Sequence, residues 1–161
     1  MGSKTLVAYF SCSGVTKDVA KQLANAAEAD LYEIVPQTPY TQADLNWNNQ
    51  NSRSSVEMSN PSFRPAIQGA VADMSVYETI FVGFPIWWYV APTIINTFLE
   101  SYDFSGKTII LFATSGGSGF GRTVEKLKGS VSPSATVKEG KLLNGRPSDS
   151  EIITWVKELG L

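Results

Sequence analysis

The sequence predicts an α/β fold: a single doubly wound, five-stranded parallel sheet with helices on both faces. Three observations carry this. Short apolar runs bounded by turn signals occur at Thr5–Phe10, Leu31–Val35, Thr79–Phe84 and Thr108–Ala113, with a weaker fifth at Ala135–Leu143. Three of the first four are continuous and not alternating, as parallel strands covered on both faces require. Helical patterns fill the intervals, so strand and helix alternate about five times along the chain.

The first strand ends abruptly at Ser11, where small hydroxyl residues take over from the apolar run. Val15, Val19, Leu23 and Ala26 then fall on one helical stripe, with Asp18 in the first turn, where the helix dipole favours an anion. After the second strand comes Gln37–Pro65, a polar segment holding Asn46, Asn48, Asn49, Asn51 and Asn60, with Trp47 among them. A segment this long reads either as a loop with one helical turn at Thr41–Trp47 or as a cover over an active site. Ile67, Val71 and Met74 predict that a helix resumes behind it.

Beyond the third strand, Pro92 suits the opening of a helix that carries Ile94, Ile95, Phe98, Leu99 and Tyr102. Thr123, Val124 and Leu127 predict a shorter helix after the fourth strand. The last helix starts with a capping box, Ser148-x-x-Glu151, and carries Ile152, Val156 and Leu159 before Gly160. No internal repeat is visible. Residues 1–161 read as one domain, with Met1-Gly2-Ser3 fitting an expression scar.

Composition narrows the chemistry. Hydrophobic residues make up 43% and charged residues 17%, and no apolar run is long enough to cross a bilayer. The expectation is a cytoplasmic chain with no membrane partner. Net charge is −2 with no basic block, which argues against nucleic acid as a partner. A single cysteine forbids an internal disulfide and a self-contained zinc-thiolate or iron–sulfur site. There is no histidine, which removes the usual general base and most transition-metal ligands. No catalytic residue and no metal site is singled out, and chemistry would fall to a borrowed cofactor or to carboxylates, lysines and tyrosines.

In open α/β sheets ligands sit outside the carboxyl ends of the strands, so the loops after strands one, three and four belong to one surface. The first holds Ser11, Cys12, Ser13, Gly14, Val15 and Thr16. Unpaired N–H groups at a helix start, ringed by hydroxyls, make a cup for a phosphate monoester. Taken alone, the same residues also suit a Ser/Thr-rich cap with no ligand. The second runs Gly83-Phe84-Pro85-Ile86-Trp87-Trp88-Tyr89-Val90-Ala91-Pro92. Three consecutive loop aromatics seek a flat partner, or else form a protein-contact patch. The third, Thr114-Ser115-Gly116-Gly117-Ser118-Gly119-Phe120-Gly121, exposes backbone N–H and C=O groups that can read the edge of a planar heterocycle. Together the three describe a site for an aromatic mononucleotide.

In this order the elements resemble the flavodoxin family. SCSGVT is similar to its hydroxyl-Gly-x-Thr phosphate loop, FPIWWYVAP to its Pro-(Ile)-Trp-Trp stretch and TSGGSGF to its third flavin loop. The resemblance covers essentially the whole chain and implies the sheet order 2-1-3-4-5 with FMN at the switch point. It implies that Ser11, Ser13, Gly14 and Thr16, with the N–H groups of Cys12 and Val15, hold the FMN phosphate. Pro85, Ile86, Trp87, Trp88 and Tyr89 would flank the isoalloxazine. Thr114, Ser115, Gly116 and Gly117, with Gly119 and Phe120, would meet its polar edge through backbone. Cys12 reads as a small spacer offering an N–H, because no histidine or second cysteine stands ready to activate it.

Departures from the family pattern are visible too. Mobile electron carriers of the family are typically strongly acidic, and net −2 is mild. Tyr89 stands where a small residue is frequent. The apolar aromatics predict a low-potential flavin, because a desolvated negative charge is costly. Rival motifs fail on particular residues. Ser101 replaces the first glycine of a Walker A motif ending Gly106-Lys107-Thr108, and the glycines at 116, 117, 119 and 121 do not satisfy GxGxxG. A phospho-receiver domain needs an acceptor Asp where Pro85 stands. Two functions follow from the resemblance: a flavodoxin-type electron carrier serving redox partner proteins, or an FMN-dependent oxidoreductase of the NAD(P)H or quinone type. The sequence is silent on oligomeric state.

Overall fold

The computed structural model describes residues 4–11, 14–38, 40–46, 48–60, 62–69, 71, 73–86, 91–114, 120, 123–143 and 147–159. Among these residues, seven strands and five helices follow in chain order: β1 (Lys4–Tyr9), α1 (Val15–Ala27), β2 (Asp30–Glu33), β3 (Val35–Pro36), α2 (Arg53–Met58), β4 (Ile67–Gln68), β5 (Tyr77–Pro85), α3 (Thr93–Glu100), β6 (Thr108–Thr114), α4 (Thr123–Lys128), β7 (Thr136–Leu142) and α5 (Asp149–Glu158). A 3₁₀ turn at Met74–Val76 leads into β5.

Five strands form one parallel sheet in the order β2-β1-β5-β6-β7. With the small two-stranded β3–β4 sheet set aside, that is the predicted 2-1-3-4-5. Each central strand feeds two cores by alternation. Leu6, Ala8 and Phe10, Ile80, Val82 and Phe84, and Ile109, Leu111 and Ala113 face α3 and α4. Val7, Tyr9, Phe81, Ile110 and Phe112 face α1 and α5. Both faces are apolar and both are covered, which is why these strands read as continuous runs.

The predicted helices on the α1/α5 face stand where expected. Val19 and Leu23 of α1 are buried, Ala26 packs at the margin, and Ile152, Trp155 and Val156 of α5 complete that core. Ser148 caps α5 by accepting the Glu151 N–H at 3.2 Å. Pro92 is the N-cap of α3, one position ahead of the first helical residue, and Ile94, Ile95, Phe98 and Leu99 are buried. Gly160 lies outside the described residues.

The crossover from β2 to β5 needs correction at one point. The predicted helix over Ile67, Val71 and Met74 is absent. Ile67 and Gln68 instead pair antiparallel with Pro36 and Val35, and Gly69 then turns with φ +70°, outside the helical region. Backbone pairing with a neighbouring segment overrides the helical spacing. Within Gln37–Pro65 the helical turn exists: Leu45 N–H bonds to the Thr41 carbonyl at 3.2 Å, and Thr41 and Asp44 cap each other side chain to backbone. Trp47 lies outside the described residues. α2, which follows, was not expected from the sequence. Its Arg53 and Glu57 form an i,i+4 ion pair at 2.8 Å, and Ser52 accepts the Ser55 N–H at its start.

Three tyrosines tie β2 and β5 to their surroundings. Tyr9 donates to Glu33, and Tyr77 donates to Asp30 at 2.6 Å. Burial, reinforced by these carboxylates, pushes Tyr9 and Tyr77 up from 10.0 to about 12. Burial and a hydrogen bond with Tyr102 push Tyr32 up equally. A phenol whose folded pKa is raised stabilises the fold fully below its unfolded pKa, and that contribution disappears as pH rises through the folded one. The protein is therefore expected to lose stability between about pH 10 and pH 12. Absorbance of tyrosinate and far-ultraviolet circular dichroism should change together in that window. Ordinary titration of all tyrosines near pH 10, with the fold intact, would contradict the assignment.

Candidate functional site: the carboxyl rim of the sheet

β1, β5 and β6 deliver three loops to one edge of the sheet. The first leaves Phe10, whose N–H bonds to the Gly83 carbonyl of β5 at 2.9 Å. Ser11 Oγ accepts the Gly14 N–H at 3.1 Å, which closes the turn locally and leaves the serine proton free to be given outward. Gly14 has φ +90°, and a Cβ built there meets nothing within 4 Å. Glycine is thus required by backbone conformation, and open space lies beside it. As the N-cap of α1, Gly14 has no side chain with which to satisfy the first N–H groups of the helix.

The helices opening from the first two rim loops share this property. α2 and α5 are capped by Ser52 and Ser148, whereas α1 starts at Gly14 and α3 at Pro92, neither with a side-chain cap. At the start of α3, Thr93 is buried and its Oγ1 has no hydrogen-bond partner among the described residues. Lys17, in the first turn of α1, is exposed.

The loops converge on the last residue of β6. Thr114 Oγ1 lies 2.8 Å from Thr16 Oγ1, and both side chains are buried. The Thr114 carbonyl accepts the Ile86 N–H at 2.9 Å, and Pro85 lies opposite Thr114 in the strand register. One residue therefore fastens the first and second loops to the start of the third. Phe120, at the end of the third loop, is 6% exposed and turns its ring edge-on to Phe84 at 6.4 Å, so its side chain belongs to the core. Its carbonyl accepts both the N–H and the hydroxyl of Thr123 at the start of α4.

Of the residues expected at the site, Ser11, Gly14, Thr16, Pro85, Ile86 and Thr114 are thus gathered on this rim, whereas Phe120 packs its side chain into the core and bonds its carbonyl to the start of α4. Val15 begins α1, and only its backbone is described. Cys12, Ser13, Trp87, Trp88, Tyr89, Ser115, Gly116, Gly117 and Gly119 lie outside the described residues.

The crossover adds residues that sequence reasoning missed. Tyr40 sets its ring edge-on to Phe10 at 5.6 Å, at the foot of the first loop. Arg53 lies over the Tyr40 ring, its guanidinium carbon 3.8 Å from the ring centroid and its Nη1 donating to the Thr38 carbonyl at 2.6 Å. Glu57, only 3% exposed, accepts from Arg53 and from the Tyr40 hydroxyl. A carboxylate this buried is tolerable only with such partners. The visible signal was Ser52 followed by the i,i+4 pair Arg53 and Glu57.

Among the described residues, no group of three or more His, Cys, Asp and Glu gathers as a metal site, and no helix is long and apolar enough to cross a membrane.

Comparison with known proteins agrees with this geometry. A family model described as Flavodoxin matches residues 4–159. The crystal structure of a Bacteroides eggerthii protein described as a flavoprotein is similar at 48% identity and TM-score 0.92, covering 99% of each chain. A Bacteroides uniformis counterpart, also described as a flavoprotein, shares 48% identity at TM-score 0.91, over 98% of this chain and 99% of its own. A Lactobacillus acidophilus flavoprotein solved in complex with FMN shares 25% identity at TM-score 0.70, over 96% of this chain and 99% of its own. Comparison with curated proteins returns no match. With the family model matching nearly its full length, the chain belongs to the flavodoxin family.

Proposed function

We propose that the chain binds FMN non-covalently on the carboxyl rim and works as an electron carrier for redox partner proteins. The observation that carries this reading is the convergence of the first, second and third loops on Thr114, at the family's ligand-binding edge. FMN, when bound, supplies one- and two-electron transfer that side chains cannot.

The residues present fit such a group. Phosphate needs donors, and the rim offers hydroxyls at Ser11 and Thr16, an uncapped helix start and open space beside Gly14. The buried, unpartnered Thr93 hydroxyl is a further polar atom where the second loop enters α3. The L. acidophilus relative, solved with FMN, supports the same assignment. Ser11, Gly14 and Thr16, with Cys12, Ser13 and the Val15 N–H, would hold the phosphate. Pro85 and Ile86, with Trp87, Trp88 and Tyr89, would flank the ring. Thr114, Ser115, Gly116 and Gly117, with Gly119 and Phe120, would meet its edge through backbone. The protein's part is to orient the ligand and exclude water from one side of it, using loops fixed to the sheet.

FMN added to the purified chain is expected to give a complex with flavin absorption bands that survive gel filtration. A chain that remains colourless would overturn the assignment. Steady-state oxidation of NAD(P)H without any partner would favour the oxidoreductase reading; reduction only through a reductase supports the carrier.

A further inference from the structure

We propose that the side chain of Thr114 positions the FMN phosphate, acting through the hydroxyl of Thr16 without itself touching the ligand. The inference rests on the FMN reading above. Thr16 Oγ1 and Thr114 Oγ1 are 2.8 Å apart, with the two residues 2% and 6% exposed. From oxygen positions alone, either can be the donor. Chemistry decides between them. A hydroxyl has one proton to give, and phosphate oxygens only accept. Thr16 can serve a phosphate only by giving that proton to it, so within the pair Thr16 accepts and Thr114 donates.

Two consequences make this more than a contact. Hydroxyls in series polarise each other, so accepting from Thr114 makes Thr16 a better donor. The bond also ties Thr16 to β6, a strand buried on both faces, and not merely to its own loop. Ser11 has the same arrangement locally, accepting from the Gly14 N–H while its proton stays available. The resemblance to relatives implied only a backbone role for Thr114 at the ring edge. The structure assigns its side chain to the phosphate side instead.

The test compares affinities for FMN and for riboflavin, which has the same ring and no phosphate. Thr114→Val is expected to raise the FMN Kd roughly tenfold, the loss of one hydrogen bond to a charged network. Riboflavin affinity should stay within about twofold, since one neutral bond outside the ring site is at issue. Thr114→Ser should restore FMN binding, and in a Thr16→Val background Thr114→Val should cost FMN nothing further. Where Thr114→Val does not fold, Thr114→Ala is read by the same FMN-to-riboflavin ratio. Equal loss for both ligands, or no loss for either, would overturn the role given to Thr114. A wild-type chain that binds neither ligand would instead refute the FMN reading itself.

Discussion

Gly140→Ala is expected to destabilise the fold by about 3 kcal/mol, the upper end of the usual cost of overpacking. For a chain of this size that corresponds to a fall in Tm of about 6–12 °C. The reason is a bulge between β6 and β7. Leu111 pairs with Glu139 and Phe112 with Lys141, so Gly140 is the extra residue with no partner opposite it. A Cβ at Gly140 would stand 2.0 Å from the Leu111 carbonyl oxygen, 2.9 Å from Trp155 Cζ2 and 3.1 Å from Ile110 Cγ2. The first of these is backbone of a central strand, which cannot yield without breaking sheet hydrogen bonds. Trp155 is itself packed on Phe81 and cannot retreat freely. Thermal melting of the apo protein reads the effect directly. A Tm within about 2 °C of wild type would mean the bulge can relax, contrary to the geometry.

Gly83→Ala should cost about 2–3 kcal/mol, for a different reason. Gly83 lies opposite Phe112 in the register, and the ring of Phe112 occupies the space a side chain would need. The nearest ring atoms would be 2.1, 2.3 and 2.7 Å from the new carbon. Phe112 is fully buried between α1 and α5, so a displaced ring must push on both helices. The Gly83 carbonyl also anchors Phe10 at the foot of the first rim loop, so FMN affinity should fall along with stability. A second substitution isolates the mechanism. Phe112→Leu removes the obstructing ring, and the double variant should be more stable than the two separate losses predict. Urea titration of the four proteins measures that coupling. Simple additivity would show that the ring is not the obstacle.

Both glycines illustrate what the sequence could and could not show. The central strands were legible because they are buried on both faces, and Ile80, Val82 and Phe84 are apolar in the same run as Phe81. The second strand, predicted at Leu31–Val35, runs instead over Asp30–Glu33. Its own pattern is mostly exposed, whereas Ile34 is buried beyond its end and Val35 leaves to pair with Gln68. Ile67, Val71 and Met74 have helical spacing and do pack on the core, but they do not form the helix that spacing predicts. An irregular path through Gly69 brings them to the same core. α2 has no apolar signature in the sequence, because its buried residues, Ser54 and Glu57, are polar.

At the site, the first loop was legible because hydroxyls and glycine at a helix start have a local meaning. The bond between Thr16 and Thr114 has no local signature at all. Nothing in either segment names the other, and only the strand order brings them together. The same holds for Tyr40 and Phe10, which meet because the crossover folds back over the end of β1.

Thr16 and Thr114 are 98 residues apart in the chain. A ribosome working from the amino terminus completes the first rim loop long before its hydrogen-bonding partner has been made. β1 and α1 can form early, but the rim becomes a binding surface only after β6 has emerged and paired with β5. A ligand gripped by all three loops therefore joins a chain already folded through β6. Its loading would then be a late event of biosynthesis, and the stability it adds by mass action would protect the finished domain, not the nascent one.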